Sequence, residues 1–193
     1  MRKVVLFLHA SLDGFVEGPN GPMDIRWVSY DGDLEKHADN LLSLSTVDTI
    51  LWGRRTYHIM KDYWPTVPSN PSATPREVEH SKWLDRTTKI VFSSTLDNID
   101  WVNTRLVKDN AAEEIMKLKQ QPGKDIMILG SPRLGHSLMQ LGLIDEFQIT
   151  VSPIVVGGGL PLFRGIDDKL RLKLLDSKTL PSGVVCLHYQ AQK

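Results

Sequence analysis

The stretch "DIMILGSPRLGHSLMQLGLIDEFQITV", residues 125–151, decides the fold class that this sequence predicts. Its mainly apolar opening has the length of a buried strand and ends at Gly130. Ser131 and Pro132 are typical of a helix start, and Gly142 is typical of the residue just past a helix end. The closing run "FQITV" predicts a second strand. A strand, a helix and a strand in this order indicate a parallel sheet covered by helices.

The same alternation of short apolar runs and helical periodicity extends along the rest of the chain. It predicts strands at 4–9, 49–52, 89–92, 125–129, 147–151 and 184–189. It predicts helices at 34–45, 55–62, 111–120 and 133–141. The segment "RLKLLDSKTLPSGVVCLHY" holds two strand-like runs joined by a Pro-Ser-Gly turn, which predicts an antiparallel hairpin. We therefore expect an α/β fold with a mixed, mostly parallel central sheet, flanking helices and a C-terminal antiparallel hairpin.

Two local signals refine this prediction. Asn110 precedes the helix at 111–120 and Glu113 follows three residues later, a pattern typical of a helix cap. Ser131 is the expected cap of the helix at 133–141 in the same way. The segment "PTVPSNPSATPREVEH", 65–80, is rich in proline, and we expect it to be a long surface loop.

Length and composition limit the kinds of protein to consider. The 193 residues fit one domain spanning the whole chain, 1–193. The chain has 23 basic and 23 acidic residues, so no overall field attracts nucleic acid or an anionic membrane. The single cysteine, Cys186, is expected in the core of a late strand, as in proteins of reducing compartments. Because the apolar N-terminal run stops at His9, too short for a signal peptide or a membrane span, we expect a cytoplasmic protein.

Familiar catalytic motifs are absent from the sequence. It has no Walker-type loop, no G-x-S-x-G elbow, no H-E-x-x-H pair and no zinc deaminase signature, and its six histidines form no metal pattern. The triple glycine 157–159 fails the dinucleotide fingerprint, because Leu162 stands where the third glycine is required. No single motif therefore identifies a function, and no metal site is expected.

Polar residues follow three of the predicted strands at the point where each strand ends. They are "GRRT" at 53–56, "SST" at 93–95 and "GSPR" at 130–133. Two of these segments open helices, whose free N–H groups and partial positive charge bind anions, and the arginines add charged donors. Because the carboxyl ends of parallel strands meet at one edge of a sheet, these groups are expected to surround one site. The pattern suits a phosphate-rich dinucleotide.

Four segments together resemble the dihydrofolate-reductase-like superfamily. They are "SLDGFVEGPNG" (11–21), "GRRTY" (53–57), "FSSTL" (92–96) and "ILGSPRLGHSLMQLGLIDEFQITVSPIVVGGGLPLF" (128–163). Within it they look most like the reductase domain of riboflavin biosynthesis, the RibD C-terminal domain, and its stand-alone bacterial relatives. The resemblance covers nearly the whole chain, in order.

The resemblance implies that the cofactor is NADPH, bound across the carboxyl edge of the sheet. Arg54 would lie near the 2′-phosphate of the adenosine, and Ser131 stands where many relatives have a second glycine. Ala10 would bond the nicotinamide carboxamide through its backbone, and Val16 would pack on the ring. The cofactor-binding residues implied by similarity are Ala10, Val16, Gly53, Arg54, Thr56, Ser93, Ser94, Thr95, Gly130, Ser131, Arg133 and Leu134.

The resemblance also implies a mobile flap, 13–23, that covers the reacting ring and excludes water. The alternative is an ordinary turn-rich loop. The glycines at 157–159 are expected to support this flap through close backbone packing rather than to grip the main phosphates. His9, on the first strand, either faces the pocket or is an ordinary strand histidine.

Residues of the substrate end follow from the same resemblance. Dihydrofolate reductases place a carboxylate early in the first helix, a few residues after a tryptophan, and link it to a threonine on a later strand. Here Trp27 matches the tryptophan at the substrate site, and Thr150 matches the threonine. Asp31, Asp33 and Glu35 are the acids at the corresponding place, and Asp33 is chosen with Thr150 as the catalytic pair.

Two classes of function remain open. The first is an NADPH-dependent reductase that transfers hydride to a small heterocycle. Its substrate would be 5-amino-6-(5-phosphoribosylamino)uracil, as in riboflavin biosynthesis, or alternatively dihydrofolate or another pteridine. The second is an NADPH-binding sensor or interaction protein without turnover.

Two further expectations concern a second basic site and a partner chain. A phosphoribosyl substrate needs basic residues beyond those for the cofactor, and Lys61, Arg164 and Arg171 are the candidates. A homodimer is expected through the apolar late strands and 160–163, with filling of the chain's own core as the alternative.

Overall fold

The computed structural model describes residues 1–42, 46–166 and 168–192. Within these ranges the strands are β1 Val4–Ser11, β2 Phe15–Glu17, β3 Val47–Gly53, β4 Thr88–Phe92, β5 Thr104–Val107, β6 Asp125–Leu129, β7 Glu146–Ser152, β8 Leu160–Pro161, β9 Leu172–Thr179 and β10 Val185–Ala191. The α-helices are α1 Gly32–Leu41, α2 Arg54–Tyr63, α3 Pro75–Arg86, α4 Ala111–Gln120 and α5 Pro132–Gln140, and a 3-10 helix spans Trp64–Ser69.

Eight of the described strands form one sheet in the order β5-β4-β3-β6-β1-β7-β10-β9. The strands from β5 to β7 in this order pair in parallel. β10 pairs antiparallel with β7, and β9 pairs antiparallel with β10. The predicted mixed, mostly parallel sheet with a C-terminal antiparallel pair is confirmed.

Helices cover both faces of the sheet. β1 shows the alternation of a strand, since Val5 and Phe7 pack on one face and Leu6 and Leu8 pack on the other. Residues of α1, α2 and α3 pack on the first face, and residues of α4 and α5 pack on the second. Trp52, fully buried near the end of β3, donates its indole N–H to a carbonyl at the end of β6 over 3.0 Å. The apolar clusters on the two faces of the sheet fix the strand ends relative to one another.

The predicted long loop at 65–80 is wrong, because most of this segment is helical. The 3-10 helix covers its beginning, and α3 starts at Pro75. Thr74 and Glu77 form a capping box, in which Thr74 Oγ1 accepts the Glu77 N–H at 3.2 Å and Glu77 Oε2 accepts the Thr74 N–H at 2.8 Å. Proline suits the first helical position because the N–H it lacks would have no partner there.

Neither of the two predicted helix caps forms. Asn110 and Ser131 both have a left-handed backbone, with φ of 55° and 58°, and neither side chain caps its helix. An N-cap residue normally has an extended backbone, from which its side chain reaches the first free N–H groups. The left-handed backbone explains why neither side chain caps its helix.

Short elements account for the remaining differences. The sequence pattern does not predict β2, β5 or β8, none of which exceeds four residues. The helix predicted at 34–45 is α1, which begins at Gly32 and ends at Leu41, and 43–45 lie outside the described residues. The other predicted strands and helices lie within a few residues of the observed bounds.

The C-terminal strands leave one edge of the sheet open. Cys186 is buried on β10, as predicted. β9 is the edge strand, and its Leu174 and Leu175 are exposed by 49% and 42%. The homodimer expected from the sequence stays a prediction, for which β9 offers an exposed apolar surface. No helix in the described ranges is both long enough and apolar enough to cross a bilayer.

Candidate active site

The carboxyl ends of five parallel strands form one edge of the sheet. In the order β4, β3, β6, β1, β7, the segments at these ends are 93–95, 53–56, 130–134, 9–11 and 150–152, of which the last two are the ends of β1 and β7 themselves. Because neighbouring strands lie about 4.8 Å apart, four spacings spread these segments over about 19 Å. This edge is long enough to contact an extended ligand at several points.

A cavity of about 290 Å³ opens at this edge. Its walls are the end of β1, β2 with the loop that follows it, and the starts of α2 and α5. Of the residues predicted to bind the cofactor, those that line the cavity are Val16, Gly53, Arg54, Thr56, Gly130, Ser131, Arg133 and Leu134. Ala10, Ser93 and Ser94 are not among the lining residues, and Thr95 lines a groove that adjoins the cavity.

Arg54 connects the cavity with the adjoining groove. It lines both, and its Nη1 donates to Thr95 Oγ1 over 2.7 Å. Arg55 also lines both spaces and is exposed. Ser93 Oγ accepts a backbone N–H three residues further on at 3.1 Å, so this hydroxyl shapes the turn after β4. Ser94 is exposed beside it. The groove therefore combines exposed guanidinium groups with a hydroxyl.

Two helices begin at the cavity wall without a side-chain cap. α2 starts after Gly53 and α5 starts after Ser131, and no cap side chain takes their first N–H groups. Ser131 Oγ accepts the Gly53 N–H at 2.7 Å, which ties the two helix starts together and occupies that one donor. Gly130 has φ +63°, and a Cβ there would lie 3.9 Å from the Thr56 methyl. The other N–H groups of both first turns give this wall a positive potential.

A buried carboxylate holds Arg133. The side chain of Glu17, on β2, is exposed by 8%, and its Oε2 accepts from Arg133 Nη1 over 2.9 Å. Its Oε1 accepts the Met23 N–H at 3.1 Å. All three residues line the cavity. The arginine predicted for the cofactor pyrophosphate is therefore already paired, with a carboxylate that belongs to the predicted flap.

The predicted flap, 13–23, forms one wall of the cavity and pairs with β8 through β2. Asp13 Oδ2 accepts the Gly157 N–H at 2.8 Å. Gly159 has φ +125°, and a Cβ there would lie 2.0 Å from the Glu17 carbonyl oxygen. The glycine segment thus packs against the flap and is not among the cavity-lining residues, which confirms its predicted supporting role. Mobility of the flap stays a prediction.

His9 lines the cavity where β1 ends. Its Nδ1 lies 2.5 Å from Oγ1 of Thr150, its neighbour on β7. The ring packs edge-on against Phe7 and Tyr30, with centroids 5.2 Å apart in both cases. Burial lowers the pKa of His9 to about 4, with a smaller contribution from the nearby His37. His9 is therefore neutral at pH 7, and it both faces the pocket and has a hydrogen-bond partner.

The acid predicted for catalysis is not among the residues that line the cavity. Asp33 is exposed in the first turn of α1. Asp31 caps this helix and accepts two backbone N–H groups at 3.1 and 2.8 Å, and Glu35 pairs with an arginine of α3 at 3.5 Å. The Thr150 hydroxyl bonds His9 instead of any of these three acids. Of the predicted catalytic pair, Thr150 therefore contacts a cavity residue, His9, and Asp33 does not line the cavity.

Four further candidates also lie outside the cavity lining. Trp27 packs against a small apolar cluster beside β10 and donates its indole N–H to a backbone carbonyl at 2.8 Å. Lys61 is paired with Asp100, and Arg164 and Arg171 are exposed. Across the described ranges, histidine, cysteine and carboxylate side chains form no group that would hold a metal ion.

Sequence reasoning missed Glu17 and Tyr30 and left His9 undecided. The period of two along β1 places His9 on the face of Phe7, the face on which α1 packs, and this signal indicates the direction of its side chain. No local pattern marks Glu17, because its partner Arg133 lies 116 residues away.

Comparison with known sequences identifies a family over most of the chain. The model of the RibD C-terminal domain family matches residues 2–186. Protein YyaP of Bacillus subtilis (strain 168) is 38% identical over 188 residues, which cover 97% of this chain and 94% of YyaP.

Solved structures share the fold. A Shewanella sp. PV-4 protein assigned to riboflavin biosynthesis has a TM-score of 0.76 at 22% identity, covering 99% of both chains. Dihydrofolate reductase of Enterococcus faecalis, solved with NADP(H), has a TM-score of 0.60 at 14% identity, covering 99% of this chain and 97% of that one. At these identities the likeness shows the fold alone. The family match over almost the entire length shows that the chain belongs to the RibD C-terminal domain family, on a dihydrofolate-reductase-like fold.

Proposed function

We infer that this protein is an NADPH-dependent reductase that transfers hydride to a C=N or C=O carbon of a small heterocycle. The observation that carries this conclusion is the pair of uncapped helix N-termini, at α2 and α5, that open onto one cavity beside an exposed Arg54. Backbone N–H groups and a guanidinium are the donors that bind phosphates in proteins. Membership of a reductase family supports the same conclusion.

The residues of the edge fit a dinucleotide of this kind. Arg54 with Thr95 would hold the 2′-phosphate, and the starts of α2 and α5 would hold the pyrophosphate. The left-handed Gly130 allows close approach of a ligand to the backbone. Val16 and the backbone of Ala10 would position the nicotinamide, which supplies the hydride when it is bound. β2, held by its pairing with β8, would exclude water from that end of the cavity.

Charges in the cavity favour a pyrimidine substrate over a pterin. Among the lining residues that the structure describes, the one carboxylate is Glu17, and it is paired with Arg133. A pterin ring therefore lacks the unpaired acid that would bond it. Arg55, exposed at the junction of cavity and groove, would serve a substrate phosphate in place of Lys61, Arg164 and Arg171. The first candidate is thus 5-amino-6-(5-phosphoribosylamino)uracil.

Oxidation of NADPH, followed by its loss of absorbance, tests this proposal with a panel of pyrimidines, pteridines and quinones. We expect turnover with at least one pyrimidine and weaker or no turnover with pteridines. Calorimetric titration with NADPH alone accompanies the assay. Tight NADPH binding without turnover of any compound would support the sensor class instead, and absence of NADPH binding would contradict the proposal altogether.

A further inference from the structure

His9 has one ring nitrogen with a partner and one without. Nδ1 is bonded to Thr150, whereas Nε2 has no hydrogen-bond partner in the described part of the chain. Within the described residues, two side-chain atoms are fully buried and lack a hydrogen-bond partner, Trp83 Nε1 and Ser152 Oγ. His9 Nε2 also lacks a partner but is not one of them, so it is accessible. Since His9 lines the cavity, its free nitrogen is available to a ligand there.

Thr150 decides which nitrogen of His9 carries the proton. Its side chain is buried, and within the described residues the one partner of its hydroxyl is His9 Nδ1. If Nδ1 donated to this oxygen, the hydroxyl hydrogen would be buried without an acceptor, which is unfavourable. If the hydroxyl donates to Nδ1, both groups are satisfied and the proton of the neutral ring is on Nε2. The second arrangement makes Nε2–H a hydrogen-bond donor towards the cavity.

We propose that His9 is a catalytic residue whose Nε2–H donates a hydrogen bond to the substrate atom on which negative charge develops, and that Thr150 is the positioning residue that fixes this tautomer. The inference rests on the proposed reductase function and specifies the substrate. The substrate contains a planar heterocycle and a C=N or C=O bond, in the ring or in an attached group, whose carbon is reduced.

Reduction of such a substrate needs a hydride from the dihydronicotinamide and a proton from water. The carbon of the C=N or C=O bond gains a hydride from the dihydronicotinamide, which is oxidised. The π electron pair of that bond moves onto the nitrogen or oxygen, where the His9 hydrogen bond stabilises the developing charge. A proton from water then completes the N–H or O–H group of the product.

The surroundings of His9 suit this role. Phe7 and Tyr30 hold the ring edge-on from two sides, which fixes its orientation. The lowered pKa agrees with the arrangement, since only a neutral imidazole accepts from Thr150 and donates from Nε2 at once. The sequence resemblance predicts that an acid of the first helix is the partner of Thr150. In the structure the partner of Thr150 is His9.

Nitrogen chemical shifts of the His9 ring in the ligand-free protein test the tautomer. We expect a bare Nδ1 and a protonated Nε2 at pH 7. Thr150→Val removes the hydroxyl, and we expect a mixture of the two tautomers in that variant. A wild-type ring protonated on Nδ1 would overturn the proposal. This measurement depends on neither NADPH nor turnover, so its result is independent of the proposed function.

Kinetics test the catalytic part with His9→Phe, which keeps a ring between Phe7 and Tyr30. We expect kcat to fall about 100-fold, the effect of removing one donor to a developing charge, while the Kd for NADPH changes less than twofold. His9→Gln restores an N–H donor and should recover part of the loss. His37→Gln is the matched control on α1 and should retain wild-type kcat.

The outcomes separate the two proposals. If the wild type reduces a substrate and folded His9→Phe reduces it equally fast, the catalytic role of His9 is wrong and the reductase function stands. If the wild type binds NADPH and reduces nothing in the panel, the reductase function is wrong. In that case, 5,6-diaminouracil serves as a binding probe, and an unchanged Nε2 signal at saturation, with other cavity signals shifted, overturns the hydrogen bond from His9 Nε2–H to the ligand as well.

Discussion

The two ends of the ligand edge differ in charge, exposure and the origin of their residues. At the groove end, exposed Arg54 and Arg55 stand beside uncapped helix starts. At the β1 end, His9 and Thr150 form a neutral pair against Tyr30. An exposed positive end binds phosphates and tolerates variation in their position. A partly desolvated neutral end strengthens each hydrogen bond that it makes and so favours a defined ring geometry.

The flap is shared by both ends, and breaking its support should have the largest effect. We expect Gly159→Ala to lower the free energy of unfolding by about 3 kcal/mol and to weaken NADPH binding. The cause is a positive φ together with a Cβ that would lie 2.0 Å from the Glu17 carbonyl oxygen. Urea denaturation and calorimetry measure the two effects.

Gly158→Ala is the matched control for this experiment. A Cβ at Gly158 has no neighbour within 4 Å, and its φ is not in the left-handed region. We expect its free energy of unfolding to change by less than about 0.5 kcal/mol. Equal losses in the two variants would show that the contact between the glycine segment and the flap has no structural role.

Acid should destabilise the protein through two histidines, His9 at the β1 end and His80 on α3. Burial lowers the pKa of both His9 and His80 from 6.5 to about 4. The unfolded chain therefore binds protons on these rings at a pH at which the folded protein does not. The free energy of unfolding should fall as the pH drops from 6.5 towards 4, on the order of 1–3 kcal/mol for each histidine.

His80 and His9 can be compared directly in this pH range. His80 packs between Trp64 and Trp83, and it does not line the cavity. His80→Phe should reduce the acid-induced loss in urea denaturation and leave NADPH turnover unchanged, whereas His9→Phe should change both. An unchanged pH dependence in both variants would contradict neutral, partly buried rings at these positions.

The smallest expected effect concerns the charge of the cavity wall. Glu17→Gln keeps an oxygen for the Met23 N–H but removes the negative charge that pairs with Arg133. We expect NADPH to bind about threefold more tightly and with a steeper dependence on salt, because a freed arginine attracts phosphate. Glu113→Gln, which breaks an exposed pair on α4, is the control and should leave the affinity unchanged. Weaker binding by Glu17→Gln would show that the pair is needed intact.

The groove end was largely predictable from the sequence, because its parts are local. A strand, a glycine and a helix start within a few residues determine where the N–H groups at 53–56 and 130–134 lie. The capping box at Thr74 was equally local, and the prolines of 65–80 concealed it. Two local predictions failed: proline was given too much weight as a helix breaker, and Asn110 and Ser131 were predicted to cap helices although their backbone is left-handed.

The β1 end was not predictable in the same way. His9 and Thr150 lie 141 residues apart, and only the pairing of β1 with β7 brings them together. A family pattern placed an acid at this end, but Asp33 lies on the exposed side of α1, whose first turn is capped by Asp31. Side-chain direction at a helix start depends on which residue caps the helix, and the sequence prediction chose Asp33 as the catalytic acid without identifying the cap.

The affinity of Arg54→Ala for NADPH and for NADH tests the central claim most directly. The account predicts that NADPH binds about 10- to 100-fold more weakly, the loss of a charged hydrogen bond, while NADH binding changes less than twofold. Arg86→Ala, an exposed arginine at the end of α3, should leave both affinities unchanged. Equal losses for NADPH and NADH, or no loss for either, would contradict an edge built for the 2′-phosphate of NADPH.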